Sequence, residues 1–327
     1  MPETNKRATF LTLGVLAFLA ILPPVALALD RPYMVTLANR MLVYALAAVA
    51  LDLVMGYGRM VSFGHAAFLG LGAYTVGILH HHDVMMTPFL FGWAGSNEAL
   101  LAWPLAMLVA AGYALLVGAI SLRTGGVYFI MITLAFAQMV FFFFVSLIAY
   151  GGRDGLVMFS RNSVAGTDIL GSRVVLYYVC LGCLVAVLAF LVMVVRSRFG
   201  RIIEGCRQNE QRMRALGYKP FVYKLTAFVL SGALAGLAGA LLANHSEFVS
   251  PDFLSWESSG LLMVMVLLGG LSTLVGPIYG ALTLFALEEV LVAYTPHWQL
   301  VLGPVLILAV LFFKGGLYGW MTGKRTG

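Results

Sequence analysis

Charge is scarce in this chain. Of 327 residues only 10% are Asp, Glu, Lys or Arg, and just 14 are acidic. Soluble domains use about 25% charged residues, so this composition cannot cover a water-exposed surface of ordinary size. Cysteine is almost absent too. Cys180 and Cys183 share a C-x-x-C spacing inside an apolar run, and Cys206 stands alone. One such pair without a second ligand pair is a weak metal or redox signal, and small residues on a helix face are the simpler reading. Also missing is any G-x-x-x-x-G-K-[ST] phosphate loop, the usual cradle for a nucleotide.

What the chain has in excess is hydrophobic residues, 61% of the total, with a mean hydropathy of +0.95. A membrane-crossing helix needs roughly 20 mostly apolar residues. Such runs fall near 10–29, 34–55, 60–79, 99–121, 126–149, 174–195, 225–243, 259–275, 277–294 and 298–313. The chain therefore reads as an all-α polytopic membrane protein of about ten transmembrane or re-entrant helices, with 60–79 and 259–275 the weakest spans. A single membrane domain, 1–327, accounts for the whole sequence.

Cytoplasmic loops retain Lys and Arg. Lys6 and Arg7 place the N-terminus inside, and alternate counting puts 196–224 and Lys314, Lys324 and Arg325 inside as well. The loops 80–98, 150–173 and 244–258 then lie outside, with Arg153, Arg161 and Arg173 as their basic residues. Lys6-Arg7, an apolar run and Ala26-Leu27-Ala28 resemble a secretory signal. Pro23-Pro24 and the membrane-embedded remainder favour an uncleaved first helix.

Residues 196–224 form a basic island, with eight Lys or Arg against Glu204 and Glu210. Helical periodicity over 201–216 lines up Ile202, Cys206, Asn209, Met213 and Leu216 on one face. That stripe predicts a single helix about 24 Å long. Glu204 and Arg207 stand at i,i+3, and Glu210 and Arg214 at i,i+4 with the acid first, the favourable order. Gly217 and Pro220 supply a stop. On charge and pattern alone, a helix lying on anionic lipid headgroups and one docking a protein remain equally open.

The segment GYGRMVSFGHAAFLGLGAY, 56–74, carries five glycines, and GGLSTLVGPIYGA, 269–281, repeats its order of Gly, Ser and Gly. Such runs permit close helix packing or deliberate breaks near a transport path, and their likeness hints at an internal inverted repeat. Within them Ser62 and His65 stand out as polar. Asp52, Glu288 and Glu289 fall inside or beside spans, where ionisable groups tend to face cavities or partners. The run His80-His81-His82-Asp83 invites a metal reading, although adjacent residues on a helix cannot converge on one ion. Trp93, Trp103, Trp256, Trp298 and Trp320 lie near span ends, as in an interfacial belt.

Several of these stretches together resemble the permease subunits of branched-chain amino acid ABC importers, of the LivM type. The matching motifs are Gly200-Arg201, Arg207-Gln208-Asn209-Glu210, Ala215-Leu216-Gly217, Tyr223-Lys224 and SGALAGLAGAL at 231–241. GYGRMVSFGHAAFLGLGAY, TLAFAQ at 133–138, GGRDGL at 151–156 and MVLLGGLSTLVGPIYGA at 265–281 follow the family's order. The resemblance implies that 196–224 is a cytoplasmic coupling loop, with Arg201, Glu204, Arg207, Glu210, Ala215 and Gly217 engaging a separate ATPase. It implies a translocation path that includes Asp52, Ser62, His65, Gln138, Gly269, Gly270 and Ser272. The expected partners are a second permease subunit in a heterodimer, two ATP-binding subunits that hold ATP and Mg, an extracytoplasmic solute-binding protein and membrane lipid, with no nucleic acid. The expected location is the bacterial inner membrane, and no cofactor, metal or catalytic residue is expected on this chain.

Three positions depart from the family pattern: Asp52 where Asn is common, Gln138 where a carboxylate is common, and Arg153-Asp154-Gly155 in place of T-N-G. They leave the solute open among branched-chain amino acids, urea or short amides, and aromatic acids. An ion-coupled secondary transporter using Asp52 and Glu289 is the alternative class. A membrane enzyme using Ser62, His65 or Asp52 is a third, for which no nucleophile–base–orienter set can be assembled from spacing.

Overall fold

A bilayer offers no water to backbone N–H and C=O groups, so a chain this apolar must satisfy them within its own helices. The computed structural model describes residues 6–88, 95–294, 297, 300–304, 306–307 and 315–322. Helices α1 (Lys6–Ala28), α2 (Pro32–Asp52), α3 (His65–Met85), α4 (Ala99–Ser121) and α5 (Val127–Ser146) come first. They are followed by α6 (Arg173–Arg196), α7 (Arg198–Gln208), α8 (Glu210–Ala215), α9 (Pro220–Ser246), α10 (Trp256–Gly269) and α11 (Gly276–Tyr294). A short C-terminal helix, Gly316–Thr322, closes the order. Among the described residues, seven helices are long and apolar enough to cross a membrane. Most of the expected run 298–313 lies outside the described residues, as do Trp93, Trp298, Lys314, Lys324 and Arg325.

At the centre is α2, in which every residue from Leu42 to Asp52 is buried. A helix that is apolar on all sides belongs in a core, and α2 packs against α6, α9, α10 and α11. Its last turn widens into a π-helical stretch, Leu53–Tyr57. On the outside of this hub α1 leans on α2 and α6, where Tyr177 Oη donates to the carbonyl of Leu19 at 2.7 Å.

The α3–α9–α4 layer is built from small residues. On α4, Ala102, Ala106, Ala110 and Ala114 recur every fourth position and are all buried. A Cβ added at Gly236 of α9 would lie 2.6 Å from Ala110 Cβ, and one added at Gly72 of α3 would overlap the Gly236 carbonyl. Backbones this close exchange dispersion contacts along their length, the main source of helix association in lipid. Phe142 and Phe143 on α5 and Leu108 on α4 are exposed, as suits a surface facing acyl chains.

Two sequence expectations are corrected here. The expected span 259–275 is a 14-residue helix, α10, that ends at Gly269. At 1.5 Å per residue it is about 21 Å long, short of the ~30 Å hydrocarbon core. With α11 it makes a helical hairpin, tight enough that a Cβ at Gly280 would overlap the Met265 carbonyl. The expected single helix over 201–216 is two helices. Asn209, the one polar member of the stripe, takes extended backbone (φ −156°, ψ 105°), and its side chain accepts the Arg212 N–H at 2.9 Å. An Asn side chain satisfies an N-terminal donor better than it continues a helix, so α7 stops and α8 starts there. The stripe breaks up accordingly: Cys206 is buried and Ile202 and Met213 are half-buried, whereas Leu216 is 64% exposed.

Gly72→Val is expected to remove most folded protein, measured by size-exclusion chromatography in detergent. Gly112→Ala, whose added Cβ meets nothing within 4 Å, is expected to leave the yield intact.

Candidate functional site

Between α10 and α11 the chain runs as Gly270-Leu271-Ser272-Thr273-Leu274-Val275 without helical hydrogen bonds to cover it. Ser272 (φ 60°) and Leu274 (φ 57°) both occupy the left-handed region, costing about 1 kcal/mol or more each. The loop is held by Asp52, a residue 220 positions earlier. Its Oδ1 accepts the Ser272 N–H at 2.8 Å, and its Oδ2 accepts those of Thr273 at 3.2 Å and Leu274 at 3.0 Å. Consecutive N–H groups of this kind form an anion-binding nest, here filled by the protein's own carboxylate. Asp52 is fully buried, a position where a charge is tolerated only when hydrogen-bonded. Thr273 Oγ1 then accepts the Gly276 N–H at 3.0 Å and starts α11.

The two glycine-rich segments meet at this point. Ser272 Oγ donates to the Gly56 carbonyl in the π-helical stretch at 2.8 Å. Gly56 has no room for a side chain, since a Cβ there would overlap Asp52 Oδ1 and lie 2.5 Å from the Ser272 nitrogen. Arg207 of α7 joins them, its Nη1 donating to Ser272 Oγ at 2.6 Å.

Of the path residues singled out from the sequence, Asp52, Gly269, Gly270 and Ser272 come together here. Ser62 and His65 lie on the neighbouring approach to α3. Ser62 Oγ accepts the Gly64 N–H at 3.2 Å, and His65 Nε2 is 2.7 Å from Ser231 Oγ. Ser231 gives its own proton to the Ala50 carbonyl. His65 must therefore donate from Nε2, and its buried Nδ1 lacks a partner. Gln138 is half-buried on α5 and forms no hydrogen bond with this group among the described residues.

In the basic segment, Arg201, Glu204 and Ala215 are exposed. Gly217 (φ 88°) ends α8 with paired bonds, Gly217 N–H to the Arg214 carbonyl and Tyr218 N–H to the Met213 carbonyl, the Schellman arrangement. Glu210 bonds both Arg214 at 2.8 Å and Lys224 at 2.6 Å. Burial alone would raise the Glu210 carboxyl, but the hydrogen bonds from Lys224 and Arg214 outweigh it and hold it below its ordinary value. The anticipated Glu204–Arg207 pair does not form, because Arg207 turns inward. Beside α7 an open groove of about 780 Å³ is lined by Arg198, Phe199, Arg201, Ile202, Met213, Tyr218 and Tyr223.

At the opposite end, polar side chains that periodicity did not single out bind the outer loops together. Asn162 and Asn244 exchange hydrogen bonds at 2.8 and 2.7 Å, and Asn162 also reaches Asn97. His80 joins this network through Asn97 and the Phe159 N–H, which gives the His-rich run a structural role. Arg161 pairs with Glu247 at 2.9 Å beside a cavity of about 440 Å³ bounded also by Asn39 and His245. Glu288 lies 3.6 Å from Arg40, and Tyr33 donates to Glu289. Arg40 was visible in the sequence as a charge inside the run 34–55. The asparagines gave no such signal. Among the described residues no group of three or more His, Cys, Asp or Glu could hold a metal ion, and all three cysteines are free.

A helical hub, a tight α10–α11 hairpin pinned near one end of it and a basic two-helix segment against that same end accord with a multi-pass transport permease, the class to which the family match assigns the chain. The chain belongs to the family described as branched-chain amino acid transport system / permease component, whose model matches residues 33–311. It is 28% identical over 319 residues to the high-affinity branched-chain amino acid transport system permease protein LivM of Escherichia coli (strain K12), covering 89% of this chain and 72% of that protein. It is 24% identical over 288 residues to the permease protein LivH of the same organism, covering 84% and 91%. A further relative is the autoinducer 2 import system permease protein LsrC of Salmonella typhi, 31% identical over 166 residues, or 47% of each chain. No solved structure matches. As a member of this family, the chain is a multi-pass protein of the bacterial inner membrane.

Asp52→Ala would leave three buried N–H groups unpartnered at about 1–3 kcal/mol each, so loss of folded protein in a detergent thermal-shift assay is expected. Asp52→Asn keeps one acceptor oxygen and should fall between it and the parent. For Glu210 the depressed carboxyl predicts stabilisation of 210–224 that is in place above the ordinary carboxylate range and lost as pH falls through it. Hydrogen exchange of this segment should therefore accelerate on acidification, and Glu210→Gln should remove the pH dependence.

Proposed function

We propose that this chain is one of two different permease subunits of an ABC importer, bringing a small polar solute of the branched-chain amino acid class into the cytoplasm. The observation that carries this reading is the placement of 196–224. Two short helices, rich in Arg and Lys, lie against the inner end of the hub, with an exposed face on α8 and a basic-rimmed apolar groove beside α7. A surface of that kind suits a protein partner more than lipid alone, since the groove is concave and carries aromatic and apolar side chains beside its arginines. The partners it implies are two ATP-binding subunits, which hold ATP and Mg because this chain lacks a phosphate loop. Solute would arrive from an extracytoplasmic binding protein. That two distinct permeases of one organism, LivM and LivH, both resemble this chain supports a heterodimer.

The embedded acids that favoured an ion-coupled carrier have local work to do. Asp52 spends its oxygens on three backbone N–H groups, Glu288 sits beside Arg40, and Glu289 accepts from Tyr33. In proteoliposomes holding the chain with a second permease and two ATPases, uptake of labelled leucine delivered by its binding protein is expected to require ATP and to survive a protonophore. Uptake abolished by the protonophore at constant ATP would overturn the reading. Glu210→Arg combined with Leu216→Glu on the exposed side of α8 is expected to reduce co-purification of the ATPases by about tenfold, the effect of ~1.4 kcal/mol.

A further inference from the structure

Arg207 stands on the basic segment, yet its guanidinium is turned onto the loop between α10 and α11. It is half-buried, and its Nη1 donates to Ser272 Oγ at 2.6 Å. Ser272 Oγ passes its own proton to the Gly56 carbonyl at 2.8 Å. The result is a continuous chain of hydrogen bonds from α7, through the loop 270–275, to the π-helical end of α2. The same loop is gripped by Asp52 through three N–H groups, and two of its residues sit in strained left-handed backbone. Strain of this kind persists only where neighbours enforce it and tends to mark elements that switch, and π-helical turns often mark functional breaks.

From this geometry we infer that Arg207 is a positioning residue that carries movement of α7 into the membrane, drawing on the Ser272 hydroxyl while Asp52 serves as the pivot of the α10–α11 hairpin. The inference rests on the reading of 196–224 as the ATPase-coupling segment and adds the inward step. When α7 shifts, Arg207 takes Ser272 Oγ off the Gly56 carbonyl, and the three bonds to Asp52 keep the loop attached to α2. The hairpin then tilts as a unit, because α10 and α11 are locked by backbone contact at Gly269–Gly276 and Met265–Gly280. An arginine suits this task better than a lysine, since its rigid fork transmits direction as well as charge.

The test uses the assembled complex in nanodiscs, with spin labels at Thr283→Cys on α11 and Leu116→Cys on α4, both exposed. Trapping the ATPases with ADP-vanadate is expected to shift the 116–283 distance in the parent. Arg207→Gln and Ser272→Ala should each abolish that shift, with the double substitution no worse than either single one. Arg207→Lys, which keeps a donor, should restore part of it. A merely structural role would instead lower folded yield without this shared dependence, and yield is read on the same samples. Undiminished movement in Arg207→Gln, or a loss in the double substitution that is the sum of independent losses, would overturn the inference. Loss of ATPase co-purification in Arg207→Gln would overturn it as well, by placing Arg207 at the partner surface. A parent complex that never retains ATPases would strike the coupling reading itself, a different and recognisable failure.

Discussion

One buried carboxylate holds the inner half of this protein together. The α10–α11 hairpin interrupts helical hydrogen bonding, and the N–H groups of the break need acceptors that lipid does not provide. Asp52 supplies two oxygens to three of them. The arrangement demands that nothing else occupy the space, hence the glycine at 56 and the close backbone approach of Gly316 to Gly270. Removing the side chain would leave a strained loop with no partner to justify its strain.

The two ends of the molecule are tied in different ways. Outside, the loops 95–98, 147–172 and 244–258 are stitched by Asn97, Asn162, Asn244, His80 and the Arg161–Glu247 pair, with a short antiparallel contact of Leu156–Val157 and Phe248–Val249. At the other end, α7 reaches the hairpin through the side chain of Arg207. Between them the α3–α9–α4 layer packs backbone on backbone, which leaves little freedom to deform. A packed layer of this kind transmits displacement rather than absorbing it.

Much of this was legible beforehand. Apolar runs located the helices, and the glycine-rich stretches marked the regions of closest approach. The pairing of Glu210 with Arg214 and the stop at Gly217 follow from spacing alone. The break at Asn209 was also written in the sequence, as the only polar residue in an apolar stripe, but periodicity weighed it as one mismatch instead of as a cap. Arg207 shows the other kind of miss. Its sequence neighbours offered it Glu204, and the folded chain offered Ser272, 65 residues away.

By itself the sequence determined that this is a helical membrane protein with a basic island between two of its apolar helices, because those features follow from composition and from periods of a few residues. The tertiary structure alone decided that Asp52 would cap a loop 220 residues distant and that Arg207 would turn toward it. Such partners are chosen by which helices pack side by side, and hydropathy is nearly uniform across those helices. A pattern that makes every face apolar specifies that a helix is buried without specifying its neighbours. Close backbone packing then fixes which polar groups meet.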